Sequence, residues 1–231
     1  MVKLLTGNEA VAQGVYEAGI SYASAYPGTP STEILETIAL NKNIIAEWAP
    51  NEKVALEACL GASVAGARTL AAMKMVGVNV AADPLLSMGY SGINGGLILV
   101  SADDPGLHSS QNEQDNRYYA KFAKIAMLEP SDSQEAKDMV IAAMEISEQF
   151  DTPVLFRMTT RICHSKSLVE ISEAEVKSTK KPYVKDVSKY VLVPANSSKR
   201  HVIVEERLAK LEEFSNNTSL NHIEWNDKKI G

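Results

Sequence analysis

The chain has little of what a disulfide scaffold, a zinc protein or a nucleic-acid binder needs. Its 231 residues include only two cysteines, Cys59 and Cys163, and four histidines. Neither cysteine belongs to a CxxC or Cys/His cluster, so neither a disulfide framework nor a built-in zinc site is expected. Unpaired thiols point to a reducing compartment, the cytoplasm. Positive charge is also short. Against 29 Asp and Glu stand 23 Lys and Arg, a net charge of −6, which is the wrong sign for gripping a phosphate backbone. No apolar run reaches the ~18 residues of a membrane span, and MVKLLTGNEA has no apolar signal core. Nucleic acid and membrane are therefore not expected as partners. The short nucleotide and hydrolase fingerprints (GxGxxG, GxxxxGK[ST], GxSxG, HExxH) are missing too. Gly92 to Gly96 (GINGG) opens a strand rather than a helix, so it builds no phosphate cradle.

What remains is an ordinary globular composition, 45% hydrophobic and 23% charged, with one outstanding stretch. Asn51 to Leu70, NEKVALEACLGASVAGARTL, opens with an N-capping Asn and an acid in the first turn, then turns small and apolar. A helix apolar on every side is expected to be buried, with Ala58, Ala62 and Gly66 letting another backbone approach. Glu52 and Glu57 carry carboxylates into this stretch. An acid at the mouth of such a helix is either a capping device or a tuned functional group.

Around it the pattern alternates. Helices are expected at 8–18 (capped by Thr6 or Asn8), 31–40, 79–88 with Pro84 interrupting, around Tyr118, Tyr119 and Phe122, and at 131–149, where Ser131 and Gln134 resemble a capping box. Strands are expected at 20–26, 44–48, 69–75, 97–102, 125–128 and 154–158. LILVSA (97–102) is the clearest of them, a continuous apolar run. Strands alternating with helices predict an α/β fold over residues 1–164, a mainly parallel six-stranded sheet with helices on both faces. Residues 165–231 read differently: a Lys- and Ser-rich extended arm to about 200, a charged helix at 201–214, and a linker toward something longer.

Two loops leave strands at the carboxyl edge, where open α/β sheets bind ligands. Tyr26 to Thr32 (YPGTPST) is either a ligand loop or a rigid turn into a capped helix. Asp103 to Asn116 is a long polar stretch, and such loops are often functional, although a solvated surface loop reads the same way.

Four segments, YPGTPSTEI, APNEKVALEACLGASVAGAR, MKMVGVNVAADPL and ADDPGLHSSQNEQD, occur in this order. Together they resemble the N-terminal pyrimidine-binding domain of the indolepyruvate ferredoxin oxidoreductase alpha subunit, a thiamine-diphosphate-dependent 2-oxoacid oxidoreductase. The resemblance runs from about Gly7 to Asn221. It implies oxidative decarboxylation of arylpyruvates to acyl-CoA, with reduction of ferredoxin. It also implies a catalytic glutamate that hydrogen-bonds the aminopyrimidine ring, and Glu52 stands at that place. Glu57 lies five residues on and about 140° around the helix, so the two cannot face one ring. By the same resemblance Pro27 and Gly28 belong to the cofactor side, and Thr29, Asp103, Asp104 and His108 to the substrate side. Pyruvate-specific relatives carry an arginine where this chain has Asp103-Asp104, which suits a bulkier arylpyruvate.

The resemblance also implies parts this chain does not hold. Thiamine diphosphate would be shared with a downstream diphosphate-binding domain that carries Mg²⁺, followed by an iron–sulfur domain with 4Fe-4S clusters. Each such cluster needs about four thiolates. A second subunit, ferredoxin, coenzyme A and a homodimeric assembly complete the expected partners. Two rivals stay open from the residues alone: the pyrimidine-binding subunit of a non-oxidative 2-oxoacid decarboxylase, and a non-catalytic interaction module of the same fold.

Overall fold

The computed structural model describes residues 1–172, 180–221 and 223–229. In chain order the elements are β1 (Val2–Thr6), α1 (Gly7–Glu17), β2 (Tyr22–Ala25), α2 (Thr32–Ile38), β3 (Ile45–Trp48), α3 (Glu52–Val64), β4 (Thr69–Lys74), α4 (Met75–Val80), α5 (Ala82–Ser91) and β5 (Leu97–Asp103). There follow α6 (Arg117–Ala123), β6 (Ala126–Leu128), α7 (Ser133–Phe150), β7 (Val154–Thr159), α8 (Thr160–His164), β8 (Lys166–Glu170), α9 (Val187–Tyr190) and α10 (Pro194–Asn217).

Period-2 alternation along three central strands sets the layers. On β4, Leu70 and Ala72 enter one core while Ala71 and Met73 enter the other. On β5, Ile98, Val100 and Ala102 oppose Leu97 and Leu99; on β7, Val154, Phe156 and Met158 oppose Leu155. Strands buried on both faces read as continuous apolar runs, which is why LILV was legible. The first core lies under α1, α2 and α7, and the second under α3, α4, α5 and α6. Each fully buried Leu or Phe in these layers gains about 1.5–3 kcal/mol from burial. The six strands are all parallel, in the order β3-β2-β4-β5-β7-β6, the α/β sheet that the strand–helix alternation requires. From β2 the chain moves outward to β3, then crosses back to β4 on the other side. The switch point therefore lies between β2 and β4.

Several expectations are corrected. The start of the assumed arm is a strand: β8 pairs antiparallel with β1 in a separate two-stranded sheet, Leu4 opposite Leu168. The rest of that arm is described from 180 onward, and its stretch 173–179 lies outside the described residues. The charged helix begins earlier than 201, at Pro194, with proline in its first turn. Its Arg200 donates to the Tyr90 carbonyl (2.7 Å) and its Arg207 to that of Gly89 (2.5 Å), anchoring α10 on the end of α5. Burial draws the Arg207 guanidinium down to about 10. The N-cap of α7 is Asp132, which accepts from the Glu135 N–H at 2.8 Å, while Ser131 bonds the Glu135 carboxylate; the Ser131–Gln134 box is not formed. The expected helix at 79–88 is two helices, α4 starting at once after β4 and α5 continuing to Ser91.

The helix of the opening motif stops at Val64, ahead of Gly66 with φ +96°. It is not buried all round. Ala55, Leu56, Cys59 and Ser63 face the core, while Val54, Glu57, Gly61 and Ala65 are exposed. Both cysteines are buried free thiols, and burial pushes Cys59 up to about 12. No helix among the described residues is long and apolar enough to cross a membrane.

Candidate functional site

The carboxyl edge of the sheet gathers the loops after β2 and β5 and the amino ends of α3 and α4. The loop after β2 is rigid. Gly28 N–H donates to the Thr32 hydroxyl (3.0 Å), the Ser31 N–H and hydroxyl both donate to the Gly28 carbonyl (2.9 Å each), and Asn8 Nδ2 donates to the Pro30 carbonyl (2.8 Å). Pro27 and Thr29 stand out to solvent on this frame. The Thr29 hydroxyl has no hydrogen-bond partner among the described residues. The approach at Gly28 is close: a Cβ there would lie 3.1 Å from Cβ of Lys74, the last residue of β4.

Glu52 opens α3 behind its N-cap Asn51, whose side chain accepts from the Val54 N–H (3.0 Å). Asn51 does the capping, so the Glu52 carboxylate is left over. It makes no hydrogen bond or ion pair with any described residue. Its side chain instead lies on Gly77 of α4, where an added Cβ would come within 2.5 Å of Glu52 Cγ and 2.6 Å of Oε1. Glu57 is engaged elsewhere, in an exposed pair with Lys53 at 3.7 Å on the outer face of the helix.

Asp103 and Asp104, at the end of β5, are fully buried. Asp103 accepts from the Ser101 hydroxyl (2.9 Å), the Asn116 N–H (3.0 Å) and Arg157 Nε (2.8 Å). Arg157 is itself paired with Glu129. Burial raises the Asp103 carboxyl above its ordinary range, ahead of the opposing Asn116 and Arg157 contacts. At Asp104 burial also pushes upward, but the Ser110 hydroxyl, the Ser109 N–H and the Thr160 hydroxyl overcome it and hold the group well below the usual carboxylate range. These two carboxylates face into the chain and hold the loop 104–116, Asp103 at its Asn116 end and Asp104 at Ser109 and Ser110 in its middle. His108 stands exposed on that loop, after Gly106 and Leu107 at φ +85° and +60°.

The elements meet at Lys74. Its stem packs on Gly28, its ammonium donates to the Ser109 carbonyl at 2.8 Å, and three residues on, Gly77 supports Glu52. Pro27, Gly28, Thr29, Glu52 and His108 therefore share one sheet edge around the switch point, with Asp103 and Asp104 beneath. Sequence reasoning quoted Lys74 and Gly77 inside MKMVGVN without assigning them a role. The available signal was a lysine and a glycine interrupting an otherwise apolar strand end.

A family model described as pyruvate flavodoxin/ferredoxin oxidoreductase, thiamine diphosphate-binding, matches residues 13–229. The chain is 44% identical over 235 aligned residues to the indolepyruvate oxidoreductase subunit IorA of Archaeoglobus fulgidus, covering 98% of this chain and 38% of that protein. To the subunit of the same name from Pyrococcus horikoshii it is 47% identical, covering 99% and 37%. Among solved structures, 2-oxoglutarate:ferredoxin oxidoreductase from Magnetococcus marinus superposes with a TM-score of 0.74 at 18% identity, over 92% of this chain and 45% of that one. That likeness concerns the fold. The chain thus spans less than two fifths of the length of the IorA relatives, and it belongs to the thiamine-diphosphate-binding family of pyruvate flavodoxin/ferredoxin oxidoreductases.

Proposed function

We propose that this chain forms the pyrimidine-facing half of the cofactor site in a thiamine-diphosphate-dependent indolepyruvate:ferredoxin oxidoreductase, which decarboxylates arylpyruvates oxidatively to acyl-CoA. One observation carries the reading: Glu52, at the switch point, offers a carboxylate that no described residue of its own chain uses. The fully buried Asp103 and Asp104, by contrast, spend their carboxylates on partners within the chain, whereas the half-buried Glu52 does not. A module that had lost its chemistry would have no reason to keep an unpaired acid on a glycine seat, so the non-catalytic reading is disfavoured.

The residues fit a planar heteroaromatic ring. Glu52 takes the ring nitrogen and can share a proton with it, the step for which a general acid–base group is worth about 10²–10⁴-fold. Asn51, by capping the helix, frees Glu52 for this. Pro27 and Gly28 form a stiff wall on the cofactor side, and Thr29 and His108 face the substrate. Asp103 and Asp104 act by holding the 104–116 loop in place. When bound, thiamine diphosphate supplies the nucleophilic carbon that attacks the 2-oxo group.

The diphosphate half is a different matter. No His, Cys, Asp and Glu cluster able to hold a metal exists among the described residues. As the resemblance implies, Mg²⁺ is assigned to a further domain or subunit, and so are 4Fe-4S clusters, each of which needs about four thiolates. The proposed assembly is a cytoplasmic homodimer with the second oxidoreductase subunit, using coenzyme A and ferredoxin. The test is deuterium exchange at the thiazolium C2 of the complete holoenzyme, followed by quenched-flow NMR. Glu52→Gln should slow exchange by about 10²-fold or more while Glu57→Gln leaves it intact. Wild-type exchange in Glu52→Gln would remove the catalytic role.

A further inference from the structure

We infer that Lys74 is the residue that receives the substrate's carboxylate. The inference rests on the site reading above but concerns a residue that reading leaves without a task. A 2-oxoacid carries a carboxylate beside the carbonyl under attack, so a cation is needed within reach of the reacting centre. The position after β5 cannot supply it: Asp103 and Asp104 stand there, and the nearby Arg157 is buried and consumed by Asp103 and Glu129. Arg117 is held by Asp115 at 2.8 Å and Lys53 by Asp83 at 2.9 Å. Lys74 differs from all three. It makes no ion pair with any described residue, and its one acceptor is the Ser109 carbonyl.

An ammonium has three donors, so after Ser109 two N–H directions remain. The side chain is half-buried at the carboxyl end of β4, the inner strand of the switch point. On one side lies Gly28, whose missing Cβ leaves the Lys74 stem room to pack closely, and on the other lies the loop that carries His108. Glu52 rests on Gly77, less than one turn along the helix that Lys74 begins. Cation, cofactor-facing acid and the exposed Thr29 thus stand on one sheet edge around the switch point. The Ser109 carbonyl holds the ammonium at this edge without neutralising it.

The test uses the complete holoenzyme and two probes that differ only in charge, indole-3-propionate and indole-3-propionamide, each titrated calorimetrically and as a competitive inhibitor. Wild type should prefer the carboxylate by about ten- to hundredfold, the worth of one charge-assisted hydrogen bond. Lys74→Met and Lys74→Gln should abolish that preference and raise the KM for the arylpyruvate by a similar factor. Both should leave thiazolium C2 exchange at the wild-type rate, and Lys74→Arg should restore most of the preference. If both uncharged variants keep the preference, Lys74 does not bind the carboxylate. Normal C2 exchange in Glu52→Gln would instead strike at the site reading, and the carboxylate–amide comparison would still judge Lys74 separately. A lysine that only tied the Ser109 loop would weaken both probes equally, which would also overturn the inference.

Discussion

Replacing Gly77 with alanine should disable Glu52 without touching it. The added methyl would sit 2.5 Å from Glu52 Cγ and 2.6 Å from Oε1, whereas carbon contacts are comfortable only near 3.5–4.0 Å. Glu52 must therefore retreat by about 1 Å. The obstructing atoms belong to the end of a flexible side chain, so the backbone need not yield. Gly77 lies in α4 without a positive φ, and exchanging glycine for alanine inside a helix gains about 1 kcal/mol. Forcing the glutamate off its preferred rotamer costs about 0.5–1.5 kcal/mol. The two nearly cancel, so the urea midpoint should hardly move. Function should not be spared: a misplacement of about 1 Å in a catalytic group costs about 10²-fold. In the complete holoenzyme, thiazolium C2 exchange in Gly77→Ala should fall by about that factor, and kcat with it. Exchange at the wild-type rate in a normally folded variant would refute the reasoning, because Gly77 would then not be the seat that positions Glu52.

Three further outcomes follow from the same contacts. Gly66→Ala should lower stability by at least about 1–3 kcal/mol in urea unfolding, since φ is +96° and an added Cβ would lie 1.8 Å from the Lys181 carbonyl oxygen; an unchanged midpoint would show that the 180–182 segment does not pack on this turn. Although burial of Glu148 works upward, Arg68 at 2.9 Å holds its carboxyl below the ordinary range. A lowered folded value means that this contribution is complete above the unfolded value of about 4.3 and is lost as pH falls through the folded one. Arg68→Met should therefore flatten the acid limb of a stability–pH profile, and an equally steep limb would count against the pair. Residues 1–231 alone should bind thiamine diphosphate too weakly for calorimetry at tens of micromolar, because the proposed site places the diphosphate and its Mg²⁺ on a further domain, and no cluster of three or more His, Cys, Asp or Glu able to hold a metal is found among the described residues; a micromolar dissociation constant would contradict the half-site account.

Much of the fold could be read because its signals are local. The six core strands alternate with helices, and LILV announces a strand covered on both faces. The pairing of β1 with β8 could not be read in this way. Its strands are separated by most of the chain, both are half exposed, and VKLLT and KSLVE show no clean alternation until they are set side by side. The motif helix was misjudged because composition alone cannot distinguish a helix buried all round from one whose small apolar face is open. At the site, Glu52 and the loop after β2 stood out because they sit in long motifs. The inward turn of Asp103 and Asp104 depends on Asn116 and Arg157, partners remote in sequence. Lys74 is a single residue, and only the approach of Gly28 and Ser109 gives it meaning.

The central claim is that Glu52 belongs to the cofactor. A structure of the complete holoenzyme with thiamine diphosphate bound tests it most directly. The account requires a Glu52 carboxylate oxygen at hydrogen-bond distance, about 2.6–3.2 Å, from the pyrimidine ring nitrogen, with its side chain still seated on Gly77. A ring nitrogen bonded to Glu57 or to another carboxylate, with Glu52 turned to solvent, would contradict it.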